Sequence, residues 1–401
     1  MFKLLFGIVV TTLLFLVSTV QAEIQRITPD IVSIDRAPGA NKFIAGGYKG
    51  FLGTIEIDGE FAVFQKTVAP LTLDVMVLKA LSEDEAIIGS ARGDIYRLKA
   101  GKLEFVKSLS EYKDPILDMV IKGDDIWAVG PRGLVAHSKD KGRSWKVIEI
   151  NSVEKTLVLP SGKTGFYSLG TSNINTESFL INATVKGEKA QEDEDYYLNA
   201  DEGSLEIIND LDESSDLEIN FNYRPGPQFQ AGDVSLNTVS IFGDSILVAG
   251  EFGSVLERKK DGTWKSLYGG VSKGESNMPY WIESNVQGNE IVLVGAGGVI
   301  AKKVDGDKWE SFDLASDNGV FDVILTNNKK TMISGAVGTV AIHDESEWQM
   351  ADRTELGLLS WLKTILHLED DSYLITGGRG SAVLYQNGQW KRLTLVEGES
   401  K

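Results

Sequence analysis

The chain has 401 residues, 42% of them hydrophobic, with 42 glycines, no cysteine and a formal net charge of −18 at pH 7. That length and apolar content build one large domain or two ordinary ones and exclude a disordered chain. The acidic balance excludes a nucleic-acid partner, which needs clustered Lys and Arg. The lack of thiols excludes disulfides and a cysteine nucleophile.

The first element is a leader. Met1-Phe2-Lys3 precedes an apolar run over residues 4–20 and then Val20-Gln21-Ala22. A basic start, an apolar centre and small residues at the end predict a signal peptide over 1–22, cleaved after Ala22. An uncleaved anchor is the alternative, because the run is long for a signal and slightly short for a membrane span. No Cys follows the cleavage point, so no lipid anchor is expected. The mature chain is expected to be periplasmic or secreted, with no membrane span of its own.

A repeated phrase then sets the architecture. An apolar run ends in Gly, two residues follow, and a second Gly leads into another apolar run. The second glycines are Gly50, Gly93, Gly133, Gly253, Gly298, Gly338 and Gly380, at separations of 43, 40, 120, 45, 40 and 42. A period near 40 residues made of short strands predicts an all-β chain, a seven-bladed β-propeller. Each short apolar run reads as a strand buried on both faces, and the second Gly as a turn residue with positive φ. Five of the eight tryptophans, Trp145, Trp264, Trp309, Trp348 and Trp390, follow that Gly by 10 to 12 residues, and are expected to pack between blades. Residues 23–152 give blades 1–3 and residues 232–401 give blades 4–7.

The period breaks between Gly133 and Gly253. Residues 153–231 form an acidic, β-rich insertion, and the stretch 166–170 within it leaves a degenerate eighth blade as an alternative. Residues 188–218 carry 13 Asp or Glu against one Lys, which is −12 of the chain's −18. A solvated, mobile excursion is the plain reading, and a docking arm for a basic partner the functional one. Arg224-Pro225-Gly226-Pro227 reads as its exit loop. Neither Asp193-Glu194-Asp195 nor residues 210–216 have the spacing of a calcium loop, so no metal site is expected.

In blade 3, Ser138, Asp140, Gly142 and Trp145 fit the S-x-D-x-G-x-x-W pattern of the Asp-box (BNR) turn, where the Asp side chain folds onto its own turn. The pattern is degenerate at Asp261-Gly262-Thr263-Trp264, Asp305-Gly306-Asp307-Lys308-Trp309 and Asn387-Gly388-Gln389-Trp390. Catalytic patterns are absent: there is no H-E-x-x-H, G-x-S-x-G or Walker loop, and the three histidines, His137, His343 and His367, read as packing residues. No cofactor is expected.

A polar residue recurs near the start of the innermost strands: Asp74, Asp118, Asn237, Glu283, Asp322 and Lys363, 15 to 19 residues before the second Gly. In a four-stranded blade that point lies at the same end as the turn between strands two and three. Those turns carry Lys49, Arg92, Arg132 and Arg379. The expectation is a mixed-charge face, an inner acidic ring flanked by cations from blades 7, 1, 2 and 3. It suits a polypeptide partner. Solvation of the channel is the plainer reading.

With its Gly-x-x-Gly phrases, its Arg-Gly turns at Arg92-Gly93, Arg132-Gly133 and Arg379-Gly380, its trailing tryptophans and its leader, the chain resembles the photosystem II stability and assembly factor family of BNR-type propellers. It is most similar to that family's non-photosynthetic bacterial relatives. Phe252, Gly297 and Val337 stand where the family's basic turn residue would be, and the acidic insertion is outside the pattern. The resemblance implies a non-enzymatic scaffold or assembly factor. Its expected partner is a membrane protein or periplasmic complex, an RND-type exporter among the candidates. A carbohydrate-binding or glycoside-hydrolase-like Asp-box propeller is the alternative; a sialidase would add an arginine cluster and a Tyr nucleophile.

Overall fold

A computed structural model describes residues 25–398, apart from 38, 41, 160–161, 213–216, 225–233, 268–277, 304–308, 315, 327, 329 and 345. The leader, the Pro225-Gly226-Pro227 exit and the Asp305 to Lys308 turn therefore lie outside the described residues. The chain is all-β, with seven four-stranded antiparallel units. Their innermost strands are Ile31–Asp35, Val75–Ser82, Asp118–Lys122, Leu236–Phe242, Trp281–Gln287, Val320–Leu325 and Leu362–His367. Each packs against the next, and the seventh packs against the first, so the ring closes into a β-propeller.

The strand just outside each innermost one is the most deeply buried. Phe43–Gly47, Thr331–Gly335 and Tyr373–Gly377 are buried at every position. Continuous apolar runs form these strands because both of their faces meet neighbouring blades. The cores between blades are separate layers, for instance Val292, Val294, Val323 and Ile333 between blades 5 and 6. Trp309 reaches from blade 5 to blade 4, where its Nε1 donates to the Leu267 carbonyl at 3.1 Å.

Closure joins the two termini. Residues 394–397 of the last outer strand pair in parallel with residues 61–64 of blade 1's outer strand. The first described residues cover the same strand: Arg26 bridges Val396, and the Ile27 N–H donates to the Leu395 carbonyl at 3.0 Å.

The repeated glycines make the junctions. The first approaches the entry to its own blade: a Cβ on Gly47 would stand 1.8 Å from the Asp30 carbonyl oxygen. The second has φ +72° at Gly338, where a Cβ would stand 2.4 Å from the Leu358 carbonyl oxygen on the way into the next blade. A Cβ meets a carbonyl at both points, so the second glycine recurs in all seven units and the first in six, with Ser90 in its place in blade 2.

The insertion is folded. Val153–Leu159 pairs in parallel with Trp264–Ser266 and antiparallel with Leu217–Tyr223, extending the blade 4 sheet outward. Gly165–Ser168, the strand at the position of the eighth-blade alternative, joins Tyr196–Asn199 and Ser204–Ile207 in a three-stranded sheet outside the ring. Strict alternation over Val153–Leu159 turns Val153, Leu157 and Leu159 inward. Tyr167, Leu205, Ile207, Ile219 and Phe221 join them in a core continuous with Trp127 and Trp264 of the propeller. The plain reading of a mobile excursion is thereby corrected. Among the described residues, Glu154, Glu206 and Glu218 lie on the outward half of its strands.

Candidate functional site

Antiparallel order places the turns between strands two and three of all seven blades on one face. Lys49, Arg92, Arg132, Phe252, Gly297, Val337 and Arg379 occupy the same turn position, and all seven are exposed. Lys49, Arg132, Phe252, Val337 and Arg379 have positive φ, between +53° and +58°. Arg92 does not, because blade 2 has Ser90 where the other blades have Gly, and Ser90 Oγ accepts the Arg92 and Asp94 N–H groups at 3.2 and 3.1 Å.

The face is thus divided. Blades 7, 1, 2 and 3 carry cations, and blades 4 and 6 carry exposed apolar groups, with Phe252 58% and Val337 49% exposed. Arg132 Nε donates to Asp114 at 3.1 Å, and its guanidinium lies 4.8 Å from the centre of the Tyr112 ring. These three residues and the exposed Arg224 border a groove of about 470 Å³ between blades 3 and 4. Leu134, Val147, Leu236 and Leu256 give it an apolar floor.

The six polar inner-strand residues separate into three groups. Asp74 sits at the rim, where its Oδ1 accepts the Lys49 N–H at 2.7 Å. Asp30 does the same for the Arg379 N–H at 2.9 Å. Asn237 is buried and donates to the Trp281 carbonyl at 2.6 Å. Asp118, Glu283, Asp322 and Lys363 share one charged cluster in the channel with Lys79, which the spacing argument missed. A bulge recurs near the strand starts, at Leu236/Thr238, Trp281/Glu283, Val320/Asp322 and Leu362/Thr364; Asn237 and Lys363 are the extra residues on it, whereas Glu283 and Asp322 follow it, so the residues picked by counting are not equivalent. Lys79 lies further along its strand and was invisible to a count from the glycines.

The cluster also ties the blades together. Asp118 Oδ2 accepts the Val239 N–H at 2.8 Å, from blade 3 to blade 4. Asp322 Oδ2 accepts the Ile365 N–H at 2.5 Å, from blade 6 to blade 7. Ser33 and Asn285 accept the N–H groups of Leu78 and Leu325 in the same way. Burial raises Glu283 well above the usual carboxylate range, with Asp118 and Asp322 adding to it. Burial likewise lifts Asp322 to about 7, against the hydrogen bonds from Ile365 and Val323. Burial opposes charge on Lys79, but Asp118, Asp35, Glu283 and Asp322 outweigh it and raise its pKa. Burial lowers Lys363, with Glu283, Asp118 and Asp322 opposing. The surroundings thus favour the protonated forms of Glu283 and Asp322 over those of free carboxyls.

The Ser138 to Trp145 turn closes on itself. Ser138 Oγ donates to Asp140 at 2.8 Å and accepts from the Gly142 N–H at 2.8 Å. Asp140 accepts from Ser144 N and Oγ at 2.8 and 2.6 Å, and Trp145 Nε1 donates to the Gly142 carbonyl at 3.1 Å. The Ser144 bonds hold the Asp140 carboxyl down to about 2. Gly142 has φ +78°. This turn lies at the opposite end of the blades from the cationic face.

The histidines pack. His137 stacks on Trp127 with ring centres 3.7 Å apart, and His343 lies 4.9 Å from Trp348. His367 is 2.7 Å from the Asp370 carbonyl oxygen. In the insertion, Asp210 accepts from Thr164, and Asp212 from Thr184, Lys186 and Gly187. Among the described residues no group of three or more His, Asp or Glu is placed to hold a metal ion.

No family model matches the chain, and no curated protein does. Solved structures share the fold. A structure of YCF48 bound to a D1 peptide aligns with TM-score 0.55 at 10% identity, covering 93% of this chain and 94% of that one. YCF48 from Cyanidioschyzon merolae aligns with TM-score 0.53 at 12% identity, covering 89% and 95%. The WD40 propeller domain of Doa1 aligns with TM-score 0.54 at 9% identity, covering 91% and 95%. At these identities the likeness concerns the fold alone.

Proposed function

We propose that this chain is a non-enzymatic, exported propeller that binds another protein, serving as a scaffold or assembly factor for a membrane or periplasmic complex. One observation carries the reading. Seven equivalent turns gather on one face, four of them ending in cations and two in exposed apolar side chains, beside an apolar groove bordered by Arg132 and Arg224. Such a surface suits an extended acidic and apolar segment, with carboxylates meeting the guanidinium forks and an apolar side chain entering the groove. The YCF48 structure with its D1 peptide supports the class of partner by analogy of fold. The resemblance to BNR-type assembly factors supports the exported setting, and an RND-type exporter is a natural candidate partner.

Co-purification from detergent-solubilised membranes tests this. The bait is the mature chain, and the control carries Arg92→Glu, Arg132→Glu and Arg379→Glu with an unchanged melting curve. A membrane protein retained by the first and lost by the second is the expected result. Equal retention by both removes the cationic turns from the account.

A further inference from the structure

A second site lies at the other end of the blades. Between blades 3 and 4, at the ends remote from the Gly-x-x-Gly turns, a cavity of about 860 Å³ opens to solvent. That is the size of an ordinary small-ligand site. Its walls come from four turns that antiparallel order brings to one end. Lys122 and Asp244 flank the turns between strands one and two. Lys139 and Lys146 flank the Ser138 to Trp145 turn, and Arg258, Lys259 and Lys260 lead into the matching turn of blade 4.

The charge here is opposite to that of the molecule. Six Lys or Arg line the cavity against two carboxylates, Asp125 and Asp244, in a chain of net charge −18. Both acids are already engaged: Asp125 lies 2.6 Å from His137 Nε2, and Asp244 lies 3.5 Å from Lys122 Nζ. Burial lowers the pKa of His137, so it adds no cation at neutral pH. Among the described residues, the side chains of Lys139, Lys146, Arg258, Lys259 and Lys260 form no salt bridge.

Arg258 is the telling residue. Its guanidinium lies 5.3 Å from the centre of the Trp127 ring, on which His137 also stacks. The Arg258 Nε is buried and has no hydrogen-bond acceptor. A buried N–H donor without a protein partner is uncommon, and a bound ion is one of the features that account for it. A guanidinium over an indole, in a cavity lined by four ammonium groups besides that of Lys122, matches a tetrahedral oxyanion of more than one charge.

We infer that this cavity binds a multiply charged phosphate, with Arg258 as the fork and Lys139, Lys146 and Lys259 as point charges around it. The group belongs either to a soluble phosphorylated compound or to a phosphomonoester headgroup at a membrane surface. The site is independent of the protein-binding face, which lies at the opposite end of the blades.

Calorimetric titration with inorganic pyrophosphate is the test. Wild type is compared with Lys139→Gln/Lys259→Gln, which alters exposed and half-exposed side chains, and with Arg258→Lys, which keeps the charge but loses the fork. The expected result is saturable binding below about 1 mM, weakened about tenfold or more by either change. Sedimentation with phosphatidic acid vesicles, against phosphatidylcholine alone, separates the sources. Co-sedimentation displaced by pyrophosphate assigns a headgroup, and pyrophosphate binding without it assigns a soluble phosphate. No binding by wild type, or equal binding by all three proteins, overturns the inference.

Discussion

The carboxylate of Asp74 accepts the backbone N–H of Lys49 at 2.7 Å, so a residue entering blade 2 holds the turn of blade 1 in its left-handed conformation. Asp30 and Arg379 repeat the arrangement across the ring closure. Lys49 and Arg379 are therefore aimed by acids of the next blade. Asp74→Ala is expected to lower stability by about 1 kcal/mol, the net worth of one hydrogen bond. It is also expected to weaken partner binding more than this loss explains. Urea unfolding and binding to the captured partner, measured on the same samples, check both.

Val337 is a β-branched residue at φ +53°, a conformation that L residues adopt at a cost of about 1–2 kcal/mol. Nothing in its own fold rewards an exposed valine there. Val337→Asn is expected to raise stability by about 1 kcal/mol in urea unfolding while weakening partner binding. A gain in stability with unchanged affinity would mark the valine as irrelevant to the face.

Asp322 has a folded pKa near 7, above its unfolded value near 3.8. The unfolded chain releases this proton first as pH rises, so the group's contribution to stability falls between about pH 4 and 7. Asp322→Asn keeps an acceptor for the Ile365 N–H and removes the titration. The stability difference, variant minus wild type, is expected to grow more positive across that window in urea unfolding at pH 4.5 and 7.5.

Lys155 titrates in the opposite direction. It is buried in the insertion, its Nζ donates to the Leu169 and Gly170 carbonyls at 2.9 and 3.2 Å, and burial lowers its pKa to about 7. Between about pH 7 and 10.5 the unfolded chain carries a proton that the folded chain lacks, so stability from this group rises with pH. Lys155→Met is expected to abolish that rise, read as the pH dependence of the variant's stability relative to wild type.

The propeller was legible because its repeat is steric. Gly338 stands where a Cβ would meet the Leu358 carbonyl oxygen, and the second glycine recurs in all seven blades. The Ser138 to Trp145 turn was legible for a similar reason, since its hydrogen bonds are local in the chain. The channel was only partly legible. Asp118, Glu283, Asp322 and Lys363 come together, but Asp74 precedes its strand and Asn237 is the extra residue of a bulge, bonded to the Trp281 carbonyl. Lys79 had no marker at all. The folding of the insertion was hidden by its charge: residues 188–218 look like a solvated tail, while Leu198, Leu205, Ile207 and Ile219 supply a buried half. The basic cavity was hidden because Lys139 and Lys259 are 120 residues apart and meet only through the ring.

The most direct test of the protein-binding face is site-specific photocrosslinking in cells. A photoreactive residue is placed at Phe252 or Val337 on the turn face, and at Lys139 on the opposite end. The account predicts adducts to one membrane or periplasmic protein from the two turn positions and none to that protein from Lys139. Adducts from Lys139 alone, or equal adducts from both ends, would contradict it.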